Sequence, residues 1–132
     1  MPAAVVNKFP IIRPEEGADC AILALAFYLG EPYDDVLRVV ARVDPDAGKE
    51  GLTTRQIKKV AAVMGHPLRT KKSVNFDDDY GIVLWRDHAN VIRNGLLFES
   101  NGTVWDPTDY FMAFPKAKAV SILIAKEPEE HP

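Results

Sequence analysis

Cys20-Ala21-Ile22-Leu23-Ala24-Leu25-Ala26-Phe27-Tyr28-Leu29 is a stretch without a single charge. Alanine and leucine are strong helix formers. Asp19 before the stretch is a good N-cap, and Gly30 fits just past its end, with Pro32 beyond. The stretch is apolar almost all round, and a helix of that kind is buried on most sides. The stretch is expected to form a central, buried helix whose first turn carries Cys20, the chain's one cysteine.

Two amphipathic helices follow. Over Asp34–Val43, Val36, Leu37, Val39, Val40 and Val43 form one stripe, with Asp35, Arg38 and Arg42 outside it. Asp44-Pro45-Asp46-Ala47-Gly48 is a loop by composition. Over Thr53–Met64, Thr53 and Gln56 match a capping box, and Ile57, Val60, Ala61 and Met64 recur at helical spacing. Gly65 and Pro67 end that helix. Beyond it the pattern changes. Ile82–Trp85, Ala89–Ile92, Leu96–Glu99 and Val120–Ile124 are short runs of β type, and Asn94-Gly95 and Asn101-Gly102 are hairpin turn sequences. Asp77-Asp78-Asp79 reads as a polar loop. Upstream, Pro2, Pro10 and Pro14 make residues 1–14 an extended arm, with Val5-Val6 and Ile11-Ile12 able to pack as an edge strand. Residues 127–132 form an exposed tail. Helices first and an antiparallel sheet second make an α+β fold.

With 132 residues, 47% of them apolar and 27% charged, the chain is expected to form one globular domain. The net charge is −3 and no Lys/Arg cluster stands out, which argues against nucleic-acid binding through a basic face. The apolar stretch Ala21–Leu29 is far short of the roughly 20 residues of a membrane span. Residues 1–14 hold no signal-peptide core, so a cytoplasmic location is the expectation. A single cysteine excludes an intramolecular disulfide. That cysteine and three scattered histidines give no metal-ligand spacing, and no cofactor motif is present. The Asp77–Asp79 run lacks the spacing of a calcium loop.

The chemistry available is one thiol, three histidines and many carboxylates. A thiol is a good nucleophile only as thiolate, and a helix N-terminus and a nearby histidine cation both favour that form. Cys20 has the first condition locally and needs a histidine brought to it by the fold. His131 sits in the tail, and His66 at a helix exit where it caps carbonyls or faces water. His88 precedes the strand Ala89-Asn90-Val91-Ile92, a rigid position that suits catalysis. An imidazole base also needs a group to orient its second nitrogen. Asp106, in Thr103-Val104-Trp105-Asp106-Pro107, is the preferred partner, because the Asn-Gly turns fold this run back across the sheet. Asp87 would point to the face opposite His88. The plainer readings are an inert cysteine in the core, a turn started by Asp106, and tryptophans Trp85 and Trp105 as core or pocket walls.

The order Cys20…His88…Asp106 resembles that of C39-like cysteine peptidases. These are members of the papain-like group whose best-known examples are the peptidase domains of bacteriocin exporters. Asp19-Cys20 and the helix to Gly30 are similar to the family's nucleophile helix. Gly51-Leu52-Thr53-Thr54 with Ile57, Ala61 and Gly65 resembles its second helical block. His88-Ala89-Asn90-Val91-Ile92 and Val104-Trp105-Asp106-Pro107 resemble its histidine and Asp-Pro strands, with separations of 68 and 18 residues. The resemblance covers roughly residues 14–110. It implies a papain-like domain over residues 1–132, a helical half packed on a C-terminal antiparallel sheet. It further implies a Cys20-His88-Asp106 triad, a peptide or protein substrate, and no cofactor. One departure stands out: the family's oxyanion glutamine, six residues before the cysteine, is Pro14 here, which has no side-chain donor. Ala21 likewise stands where glycine is frequent. A catalytically impaired binding protein on the same scaffold is therefore the competing reading. A transglutaminase-like acyl transferase is a second, on the likeness of Asp106-Pro107-Thr108.

Overall fold

The computed structural model describes residues 5–6, 20–43, 52–86, 88–100 and 102–126. The arm beyond Val5-Val6, Asp19, Pro14, the loop at 44–48, Asp87, His131 and the tail lie outside the described residues. The uncharged stretch folds as helix α1 (Cys20–Leu29), with Ala21 to Ala26 all buried. Gly30 follows at φ 69, a left-handed conformation that glycine adopts without a Cβ penalty. Helix α2 (Tyr33–Val43) turns Val36 and Val40 inward and leaves the Arg38–Asp35 pair outside. Helix α3 (Thr54–Val63) starts with the expected reciprocal cap. The Thr53 side chain accepts from the Gln56 backbone N–H, and Gln56 accepts from that of Thr53.

The strands are β1 (Val5–Val6), β2 (Leu68–Lys71), β3 (Gly81–Trp85), β4 (His88–Arg93), β5 (Leu96–Phe98), β6 (Thr103–Trp105) and β7 (Ala119–Ala125). They form one sheet in the order β1-β6-β5-β4-β3-β7-β2, antiparallel at every pairing. Val5-Val6 is thus an edge strand, as its composition suggests. A fourth helix, α4 (Pro107–Ala113), follows β6 directly. The fold is α+β, and among the described residues no helix is long and apolar enough to cross a membrane.

Strand alternation sends side chains to two cores. Ile82, Ala89, Val91 and Leu123 face α1, α2 and α3, where they meet Ile22, Leu25, Val36, Val40, Ile57 and Val60. Val83, Trp85, Ile92, Leu97 and Ile122 face the other way, against Tyr110 of α4 and the rings of Phe76, Trp105 and Phe111. Covering both faces explains why the central strands read as continuous apolar runs instead of alternating ones. Each fully buried Leu or Ile adds about 1.5–3 kcal/mol of burial.

Gly81 sits where β7 crosses closest. A Cβ built on it would stand 2.2 Å from the Leu123 carbonyl oxygen, a backbone atom that cannot swing away. Gly81→Ala is expected to destabilise the protein by about 1–3 kcal/mol, the usual range for overpacking, read as a lower urea midpoint. An unchanged midpoint would show that β3 and β7 part more easily than their pairing implies.

Candidate active site

The β4–β5 hairpin fixes the site. Its turn, Asn94-Gly95, has φ 53 and 78, both left-handed, as a two-residue type I′ turn requires. That turn sets Arg93 opposite Leu96, Ile92 opposite Leu97 and Val91 opposite Phe98. One step further along the same ladder stand Asn90 and Glu99. His88 and Asn90 are two residues apart on one strand, so both side chains leave the same face as Glu99. On the neighbouring strand Trp85 lies opposite His88. The hairpin therefore gathers three polar side chains next to one tryptophan.

They form a continuous chain of hydrogen bonds. His88 Nε2 lies 2.7 Å from Glu99 Oε1. Asn90 Nδ2 donates to Glu99 Oε2 over 3.1 Å, and Trp85 Nε1 donates to Asn90 Oδ1 over 2.8 Å. The Tyr110 hydroxyl also bonds Glu99. Burial of that phenol, and then the negative charge of Glu99, push it above the usual tyrosine range. Glu99 is 9% exposed and Asn90 1%. A buried carboxylate is tolerable only when paired and hydrogen-bonded, and Glu99 has three side-chain partners.

The half-buried thiol of Cys20, the first residue of α1, lies within hydrogen-bonding reach of His88. The histidine thus touches the helix tip on one side and the carboxylate on the other. Its pKa is pushed up to about 10, first by the hydrogen bond to Cys20 and then by that to Glu99, against burial, which pulls it down. His88 is consequently cationic throughout the neutral range. The folded value lies above the ordinary 6.5, so the resulting stabilisation is complete below about pH 6.5 and is lost as pH rises toward about 10. With its side chain 34% exposed, solvent screening limits the effect to about 1–2 kcal/mol. Stability measured between pH 6.5 and 10 is expected to fall, and to fall less in His88→Gln. A rise over that interval would contradict a paired imidazolium.

Of the three residues expected to meet, the structure brings together Cys20 and His88 but not Asp106. Asp106 caps α4: its Oδ1 accepts from the Thr108 backbone N–H at 2.9 Å, with Pro107 at the first helical position. The place expected for its carboxylate, at His88 Nε2, is taken by Glu99. The physical reason is register. Leu97 pairs with Trp105, so Asp106 lies beyond it, three residues along β5 from Glu99 and further from His88. His66 is exposed at the exit of α3, its N–H bonded to the Ala61 carbonyl at 2.9 Å. Among the described residues no group of three His, Cys, Asp or Glu is placed to hold a metal ion.

His88 and Glu99 also border a cavity of about 1090 Å³, lined further by Trp85, Trp105 and Tyr110. A thiol at a helix start, an imidazole beside it and a buried carboxylate on that imidazole are the residue types that nucleophilic catalysis with an oriented acid–base partner requires. No family model, no curated protein and no solved structure matches the chain.

Proposed function

We propose that this chain is a cysteine hydrolase of papain-like type that cleaves a peptide or amide bond. The observation that carries the proposal is that His88 contacts both Cys20 and the buried Glu99. The order of elements, a buried helix opening with the thiol and then an antiparallel sheet carrying the histidine, supports the same reading.

In this mechanism the Cys20 thiolate attacks the carbonyl carbon. The C–N bond breaks as imidazolium His88 gives its proton to the departing amine, leaving a thioester. Neutral His88 then takes a proton from water. The hydroxide attacks the thioester, the acid leaves, and the thiolate and imidazolium return. Glu99 fixes the ring through Nε2 and supports its positive charge, which leaves Nδ1 as the nitrogen for the sulfur. The Cys20 backbone N–H, at the positive end of α1, supplies one donor to the oxyanion.

Alkylation by iodoacetamide near neutral pH, followed by mass spectrometry, tests the nucleophile. Native Cys20 is expected to react faster than the same residue in the urea-unfolded chain, and equal or slower reaction refutes an activated thiolate. Hydrolysis of a fluorogenic peptide-amide library, lost in Cys20→Ala, tests turnover. Fast alkylation with no turnover on any member would favour the impaired, peptide-binding reading.

A further inference from the structure

The cavity beside His88 has a construction of its own. Trp105, Tyr110 and Phe114 form an aromatic wall, with ring centroids 5.8 Å apart for Trp105–Tyr110 and 4.9 Å for Tyr110–Phe114. Phe114 is 47% exposed, an apolar ring left facing the opening. The rim is basic: Arg86, Lys116 and Lys118 all border the space. Among the described residues none of these three pairs with a carboxylate, whereas Arg38 and Lys71 elsewhere each do. The one carboxylate in the lining, Glu99, is already engaged by His88, Asn90 and Tyr110. The space is therefore apolar in its body and positive at its edge. Its volume, about 1090 Å³, lies just above the roughly 300–1,000 Å³ usual for sites that take small organic ligands, so it has room for one.

We propose that this cavity binds an aromatic carboxylate, its ring packed on Trp105, Tyr110 and Phe114 and its anion at Lys116, Lys118 and Arg86. Offset and edge-on ring packing holds the body. Guanidinium and ammonium groups recognise the charge. The same chemistry occurs in a free aryl acid and in a peptide ending in an aromatic residue. Cys20 does not border the space, so this site stands whether or not the thiol is catalytic.

The test is calorimetric titration of the intact chain with 2-naphthoate, its neutral counterpart 2-naphthalenemethanol, and a short peptide ending in tryptophan as acid or amide. Saturable one-to-one binding of naphthoate is expected, with the alcohol at least about tenfold weaker. The double variant Lys116→Gln/Lys118→Gln, both exposed positions, is expected to weaken the acid about tenfold and the alcohol hardly at all. Cys20→Ser is expected to bind like the native chain. His88 borders the cavity, so its ring resonances are expected to shift on saturation. Preference of the tryptophan acid over its amide would identify a peptide C-terminus as occupant, and binding of naphthoate alone a free acid. Equal affinity for acid and alcohol, indifference to the lysine changes, or binding that leaves His88 unmoved would overturn the proposal. So would no binding at millimolar concentration.

Discussion

Glu99→Ala is expected to lower the unfolding free energy by about 3 kcal/mol, measured by urea titration at neutral pH. Three donors converge on this carboxylate: His88 Nε2 at 2.7 Å, Asn90 Nδ2 at 3.1 Å and the Tyr110 hydroxyl. Truncation removes the carboxylate acceptor of the buried Asn90 amide, which keeps Trp85 and Tyr110 as partners, and takes from the imidazolium its carboxylate partner. Breaking a fully buried pair costs about 3–5 kcal/mol. The lower end applies here because a third of the His88 side chain reaches water. Asp106→Ala is the comparison. It removes a helix cap, a change worth about 1 kcal/mol, and it is expected to leave the alkylation rate of Cys20 untouched. If the two variants cost the same, or if Asp106→Ala slows alkylation and Glu99→Ala does not, Glu99 is not the group that holds His88.

The second large effect concerns His88. In the proposed mechanism this residue both offsets the thiolate and delivers the proton to the departing amine. His88→Ala is expected to reduce kcat/KM for a hydrolysed peptide by about 10²–10⁴-fold, the usual contribution of a positioned acid–base group. Alkylation of Cys20 at neutral pH is expected to slow by about tenfold, because the neighbouring cation that favours the thiolate is gone. Circular dichroism and urea midpoint establish that the variant is folded before rates are compared. Undiminished alkylation in a folded His88→Ala protein would mean that the helix tip alone activates the sulfur. Undiminished turnover would remove His88 from the mechanism altogether.

The helical half was legible because its information is local. Ala and Leu through Leu29, the Thr53–Gln56 cap and the glycines at 30 and 65 each act within a few residues, and α1, α2 and α3 follow them closely. The central strands were legible from composition for the same reason. β2 and α4 were not. Leu68–Lys71 buries only Leu68 and carries two basic residues, so nothing in it reads as a strand until β7 arrives beside it. Asp106-Pro107 is a good helix start, yet a seven-residue helix has too little periodicity to announce itself. In the site, Cys20 and His88 were read from residue type and position. Glu99 was missed although the arithmetic was available. A two-residue turn at Asn94-Gly95 makes facing residue numbers sum to a constant, and that constant places Glu99 opposite Asn90. An acidic residue closing an apolar strand, on the face shared by His88 and Asn90, was the indication.

The position of β7 bears on how the chain assembles. Residues 119–125 lie between β2 and β3, which come tens of residues earlier in the sequence. During synthesis, the edges of both strands wait unpaired until residue 125 has left the ribosome, several seconds at about 5–20 residues per second. The hairpins around Asn94-Gly95 can close in that interval, whereas the β3–β7 and β2–β7 seams cannot. Pairing that depends on such distant partners is slow compared with helix formation. The nascent sheet therefore has a definite period of vulnerability to intermolecular strand pairing, and a chaperone that shields residues 68–85 would act on the step that most needs it.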